Sequence, residues 1–202
     1  LYNLTQEQLR HTLMPIGEYE KTRVREIAEE AGLPVAHKPD SQEICFINDN
    51  DYAGFIDREA KGRVPKPGYF VTKDGRVLGK HEGITHYTVG QRKGLNLAMG
   101  HPVFVTQIRP ETDEVVIGES EDVFGTQLDC NRLNFMSVPD ITARTHVLAK
   151  IRYSHKGAPA VIEKTGQDTV HVTFEEPVRA ITPGQAVVFY DGEDILGGGT
   201  IC

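Results

Sequence analysis

The sequence lacks any apolar run approaching the ~20 residues that a membrane-spanning helix needs, and its mean hydropathy is negative. No basic segment followed by an apolar stretch opens the chain, so a signal peptide is not expected. The first residues are Leu1-Tyr2-Asn3, without Met, as in a trimmed chain. Cysteine is scarce: Cys45, Cys130 and Cys202 are the three. An odd count at wide spacing does not read as a disulfide framework. Without a Cys-x-x-Cys or a close His/Cys pair, a structural zinc site is not expected either. Such cysteine usage points to a reducing cytoplasm. The eight histidines show no metal-like spacing. A global excess of positive charge is also missing: 22 Lys and Arg stand against 29 Asp and Glu, a net charge of -7. That balance excludes a uniformly basic nucleic-acid binder. With 39% hydrophobic and 25% charged residues, the composition is that of a globular protein. Its 202 residues allow one large domain or two to three small ones.

Three regions differ in character. Residues 1–50 read as helical. Thr5 and Gln8 fit a capping box that opens a short helix ending before Pro15. Val24, Ile27, Ala28 and Ala31 form one apolar helix face, with Thr22 as a candidate cap and Gly32 and Pro34 as stops. Leu33-Pro34-Val35-Ala36 is expected to be extended, and Ile44-Cys45-Phe46-Ile47 to form a buried strand or a turn wall. One or two helices and a strand make a poor domain alone, so this region reads as the tail of an α/β domain. Residues 51–124 are rich in Gly and Pro. Asp74-Gly75 between β-favouring runs predicts a hairpin, and residues 103–108 and 115–117 predict another. Residues 125–202 read as all-β, with strands expected at 147–151, 160–163, 169–174, 186–190 and 195–201. Five or six short, evenly spaced strands suggest a small closed barrel or sandwich. The expected class is therefore mainly β: a short N-terminal α/β remnant, a small β-rich module and a β-barrel.

The charge is unevenly spread. Residues 61–93 hold eight basic residues against two acids, and residues 144–164 hold five against one. The first 50 residues hold nine acids against five bases. Basic stretches interleaved with Tyr69, Phe70, Tyr87 and Tyr153 suit contact with phosphates and stacked bases, although an ordinary solvated surface has the same appearance. Gly90-Gln91-Arg92-Lys93-Gly94 is not a Walker loop. It reads either as a structural turn or as a loop presenting Gln91, Arg92 and Lys93 to phosphate. Cys45 lies between a polar and an apolar run, which suits either a reactive thiolate or an inert buried thiol. Cys130 and Cys202 have no such surroundings. Gly197-Gly198-Gly199, with no helix after it, is best explained by close backbone approach at a barrel corner.

The motifs Asp40-Ser41-Gln42-Glu43-Ile44-Cys45-Phe46 and Gly90-Gln91-Arg92-Lys93-Gly94-Leu95, followed by Lys150-Ile151-Arg152-Tyr153 and Ile181-Thr182-Pro183-Gly184-Gln185, resemble those of the tRNA-specific 2-thiouridylases. The match runs in order over nearly the whole chain. It implies ATP-dependent thiolation of the wobble uridine in the tRNA anticodon region, with ATP and Mg2+ as cofactors. In that family ATP adenylates the C2 oxygen of the uracil, and a cysteine persulfide supplies sulfur. Cys45 falls on the persulfide-carrying cysteine, and Arg152, Tyr153 and Gln185 fall on tRNA contacts. A sulfur-donor protein, a cysteine desulfurase or a relay protein, is an implied partner; a membrane is not. The family's Ser-Gly-Gly-x-Asp-Ser phosphate loop, and the Asp and second cysteine that work with the persulfide cysteine, have no match here. The resemblance therefore implies a C-terminal half: the end of an ATP pyrophosphatase domain (1–50), a central domain (51–124) and a barrel similar to those of elongation factors (125–202). Such a piece should neither bind ATP nor turn over alone. A stand-alone RNA-binding module of translation-factor type, with Cys45 inert, is the alternative.

Overall fold

The computed structural model describes residues 1–39, 47, 51–60 and 64–202. Among the described residues of the first third, three α-helices occur: α1 (Gln6–Arg10), α2 (Lys21–Glu30) and α3 (Tyr52–Glu59). The capping box of α1 is present. The Gln8 N–H donates to Thr5 Oγ1 at 3.2 Å, and the Thr5 N–H donates to Gln8 Oε1 at 2.9 Å. Helix α2 starts earlier than its sequence suggests. Glu20 occupies the cap position without a side-chain hydrogen bond, and Thr22 lies inside the helix. Its end follows expectation. Gly32 turns left-handed at φ 66°, its N–H reaches Glu29 O, and the Leu33 N–H reaches Ala28 O. These two bonds make a Schellman motif. The expected extended run at 33–36 is instead a succession of turns, with Ala36 N–H on Leu33 O and Lys38 N–H on Val35 O. Among the described residues, 1–39 contain no strand, and no helix is long and apolar enough to cross a membrane. The run at 44–47, expected as a buried strand or a turn wall, lies outside the described residues except for Ile47, which is buried.

The central module is a four-stranded sheet: β1 (Gly68–Val71), β2 (Val77–His81), β3 (Phe104–Arg109) and β4 (Glu114–Gly118), in the order β2-β1-β4-β3. Both predicted hairpins form, β1 with β2 and β3 with β4, and a parallel pairing of β1 with β4 joins them. Gly75 takes φ 87° in the first turn, as the Asp-Gly signal requires. Phe70, Val105, Val115 and Ile117 build the core, with Ile84 and Leu95 from the β2–β3 connection. His81 is the buried polar side chain there. Its Nδ1 accepts from the Gly83 N–H at 3.1 Å, so Nε2 carries the proton and donates to Asp113 O at 3.0 Å. Phe70 and Tyr87 meet its ring edge-on.

Six antiparallel strands follow: β5 (Phe124–Phe135), β6 (Thr145–Lys150), β7 (Ala158–Gly166), β8 (Thr169–Arg179), β9 (Ala186–Asp191) and β10 (Asp194–Ile201). They close into a barrel in the order β10-β5-β8-β7-β6-β9. Strict alternation fills it. Val170, Val172 and Phe174 of β8 and Val187 and Phe189 of β9 point inward and are almost fully buried. Each such side chain is stabilised by roughly 1.5–3 kcal/mol through burial. Five of the strands match expectation; β5 was not anticipated. The three consecutive glycines lie within β10, where a Cβ on Gly197 would meet Asn134 O at 2.5 Å and one on Gly199 would meet Asn131 O at 2.7 Å. The close approach expected there is between β10 and β5.

The first residues lie on this barrel. The Asn134 side-chain amide donates to the carbonyls of Tyr2 and Leu4, and the Tyr2 ring occupies the space a Cβ on Gly198 would need. The barrel also touches the sheet. The Ala180 N–H donates to Val123 O at 2.7 Å, and a Cβ on Gly90 would come within 2.8 Å of Ala180 Cβ.

Candidate nucleic-acid interface

Arg152 and Tyr153 leave the barrel directly after β6. Ile151, almost fully buried, anchors the turn, and the two following side chains emerge from it. Gln185 arrives by another route. Thr182-Pro183-Gly184-Gln185 is a turn closed by Gln185 N–H to Thr182 O at 3.2 Å, with Gly184 at φ 84°. Proline at the second position and a left-handed glycine at the third are the signature of a type II turn. The turn is pinned to β10, since Gly184 N–H bonds Ile201 O and Ile201 N–H bonds Gln185 O, each at 2.8 Å.

These two turns meet. Arg152, Tyr153 and Gln185 line one open cleft of about 710 Å³, together with Lys150, Tyr190, Leu1 and the apolar side chains Val188 and Ile195. Among the described residues, its walls carry the side-chain cations Lys150 and Arg152 and no side-chain carboxylate. The Tyr153 ring is fully exposed. The Lys150 ammonium stands 5.5 Å from the centre of the Tyr190 ring, a cation–π distance. Behind the turn, His155 donates its backbone N–H to Arg152 O, and its Nδ1 is buried without a partner among the described residues. Burial lowers the His155 pKa, and the charges of Arg152 and Lys150 lower it further. The cleft thus offers a guanidinium, an ammonium, an amide and exposed aromatic faces. That set binds phosphates, stacks on bases and hydrogen-bonds their edges.

The glycine-bracketed loop divides into two roles. Gln91 Oε1 accepts from the Thr88 N–H and Gln91 Nε2 donates to Lys93 O, both at 3.0 Å. Gln91 therefore shapes the loop, while Arg92 and Lys93 are exposed. The loop is held to β3 by Gly90 N–H to Val105 O at 2.7 Å and Val105 N–H to Gln91 O at 2.9 Å.

Cys45 lies outside the described residues. Cys130 is buried in the barrel; burial pushes its thiol up to about 12, and its sulfur faces Val170 O at 3.6 Å. Cys202 is exposed. Sequence reasoning missed three residues beside the site. Lys150 was visible only as part of a motif, Tyr190 only as a strand end, and Arg179 carried no signal at all. Arg179 accepts a bond from Arg152 on its carbonyl and sends its own side chain to the loop at Gly90.

Comparison with known proteins gives three domain-family matches in chain order. Residues 1–49 match a tRNA methyl transferase HUP domain, residues 55–119 a tRNA methyl transferase PRC-barrel domain, and residues 126–201 an aminomethyltransferase beta-barrel domain. Among curated proteins, the chain is 57% identical over its whole length to the tRNA-specific 2-thiouridylase MnmA of Lachnoclostridium phytofermentans. It is 53% identical to that of Clostridioides difficile and 56% identical to that of Carboxydothermus hydrogenoformans, again over its whole length. It spans 55–56% of the length of these relatives. Matches to successive domains and identity above one half across every residue lead to one assignment: the chain belongs to the tRNA-specific 2-thiouridylase family.

Proposed function

We propose that this chain is the part of a tRNA-thiolating enzyme that carries the sulfur-donating cysteine and a share of the tRNA-docking surface. One observation carries the reading. Arg152, Tyr153 and Gln185, on two separate turns, share a cleft whose lining, among the described residues, is cationic and free of side-chain carboxylates. In the full-length enzyme the substrate is the wobble uridine of a tRNA, and Cys45 carries the sulfur as a persulfide received from a cysteine desulfurase or a relay protein. Arg152 and Lys150 engage backbone phosphates, Tyr153 stacks on a base or ribose, and Gln185 reads an amide-compatible edge. The residues present do not fit an ATP site. No Ser-Gly-Gly-x-Asp-Ser segment occurs, and neither α1 nor α2 opens from a glycine-rich loop. ATP with Mg2+ is assigned to the portion of the enzyme outside this chain.

Two experiments on the full-length protein test the reading. Incubation with a cysteine desulfurase and cysteine should add the mass of one sulfur atom, and Cys45→Ser should abolish the addition. An unmodified Cys45 would leave the RNA-binding module as the better account. Arg152→Ala combined with Tyr153→Ala should weaken tRNA binding at every salt concentration and flatten its salt dependence. Since Tyr153 is fully exposed, its loss should leave stability within about 0.5 kcal/mol.

A further inference from the structure

The two basic elements expected to face RNA belong to different modules, one to the sheet and one to the barrel. Arg179, the last residue of β8, touches both. Its carbonyl accepts a hydrogen bond from Arg152 Nη1 at 2.7 Å. Its own guanidinium donates from Nη2 to Gly90 O at 3.2 Å, and its central carbon lies 5.2 Å from the centre of the Phe104 ring on β3. The junction is tight. Gly90 sits at φ 87°, and a Cβ there would meet Ala180 Cβ at 2.8 Å and Arg179 Nη1 at 3.4 Å. One residue therefore fixes the Arg152 turn through its main chain and the Arg92–Lys93 loop through its side chain.

We propose that Arg179 locks the loop carrying Arg92 and Lys93 beside the Arg152–Tyr153 turn, so that the two modules present one continuous surface to a single stretch of tRNA backbone. The proposal rests on the RNA-binding reading above and assigns Arg179 a positioning role, with no contact to RNA. The physical argument is one of effective concentration. Two weak cationic patches held rigidly side by side act as one bivalent site, and the second contact is made at little further entropic loss. If the junction loosens, the loop remains charged and exposed, yet its contacts no longer add to those of the turn.

The test uses the full-length enzyme and an in vitro transcribed tRNA. Arg179→Met keeps the aliphatic stem against Phe104 and removes the donors. It is compared with the pair Arg92→Ala/Lys93→Ala and with all three substitutions together. Affinity is measured across salt concentrations, and amide hydrogen exchange is followed in the protein without RNA. Arg179→Met is expected to speed exchange at residues 88–94 while leaving β6 to β8 protected. It should also reduce the slope of log affinity against log salt as much as the loop pair does, roughly 1.4–1.8 for two lost phosphate contacts. Adding the loop pair to Arg179→Met should then lower affinity little further. Additive losses, with a slope change below about one for Arg179→Met, would mean that Arg179 meets a phosphate itself, and would overturn the positioning role. Unchanged exchange in the loop would overturn it as well. The RNA-binding reading fails separately, if Arg152→Ala with Tyr153→Ala leaves affinity unchanged.

Discussion

Strand β9 alternates core-facing and cleft-facing residues, and the consequence of this alternation can be measured. Val187 and Phe189 face the barrel core and are fully buried, whereas Val188 and Tyr190 line the cleft. Phe189→Ala removes a buried aromatic side chain and should destabilise by about 3–5 kcal/mol. Val187→Ala removes two buried methyl groups and should lose about 2 kcal/mol, transfer and cavity together. A barrel of this size has a total stability of only about 4–12 kcal/mol, so Phe189→Ala takes a large share of it. Val187→Ala is the variant expected to stay folded. Val188→Ala and Tyr190→Ala give up partly exposed surface and, for Tyr190, the contact with Lys150, which together should amount to about 1 kcal/mol. At roughly 4–8 °C per kcal/mol for a domain of this length, Val187→Ala should lower the barrel's Tm by about 8–16 °C. Urea melts and calorimetry report the stability, and tRNA affinity of the folded variants reports the cleft. Tyr190→Ala should weaken tRNA binding, and Val187→Ala should not once the protein is folded. The reasoning is refuted if the two cleft-facing substitutions destabilise as much as the two core substitutions, or if Val187→Ala lowers affinity as much as Tyr190→Ala.

Two further outcomes follow from titrating groups. His81 is neutral in the fold, because its Nδ1 accepts the Gly83 N–H and burial, the larger influence, lowers its pKa below the usual 6.5. A group with a depressed basic pKa contributes fully above its unfolded value and loses that contribution as pH falls from there toward the folded value. Wild-type protein should therefore lose stability as pH falls below about 6.5, the value of an unperturbed His, and His81→Gln should flatten that part of the urea-midpoint profile. An unchanged profile would contradict the assigned proton on Nε2. Cys130, with its thiol pushed up to about 12, should resist iodoacetamide in the native protein and react after denaturation, while exposed Cys202 reacts in both states. Peptide mapping distinguishes them, and rapid native labelling of Cys130 would show that the barrel opens there.

The parts of the fold that could be read from sequence are those governed by local rules. Asp74-Gly75 forces a turn whatever surrounds it, and Val170, Val172 and Phe174 can face inward only if β8 is a half-buried strand. Strand β5 escaped because its sequence, FGTQLDCNRLNF, buries only Leu128 and Cys130 fully, while Phe124 is exposed, Leu133 and Phe135 are partly buried and most other residues are polar. Helix α3 escaped because Gly54 and a Gly/Pro-rich continuation mask it; its start rests on Asp51 accepting the Gly54 N–H at 2.9 Å. Thr22 is a cap by residue type, yet Glu20 holds the extended cap geometry without a side-chain bond, so the helix start follows the backbone and not the preferred capping residue. The cleft residues were named through their motifs, but their meeting depends on closure of the barrel, which brings residues 152 and 185 together. Arg179 could not be found in this way, since its partner Gly90 is 89 residues distant and belongs to another module.

The barrel is closed by its latest strand. β10 pairs with β9 on one side and with β5, the earliest of the six, on the other, matching Ile201 with Cys130. During synthesis every hydrogen bond along that seam must wait until the sixth strand has left the ribosome. Until then β5 and β9 each expose an unpaired edge, and Val187, Phe189 and Val170 lack a sealed interior. Long sequence separation of this kind slows folding and leaves edges open to pairing with other chains. The turn bearing Gln185 is fastened to Ile201 on the same strand, so the cleft acquires its final shape only in the last step of the barrel's assembly. A nascent or C-terminally clipped molecule would thus be without this cleft even where Arg152 and Tyr153 were already in place.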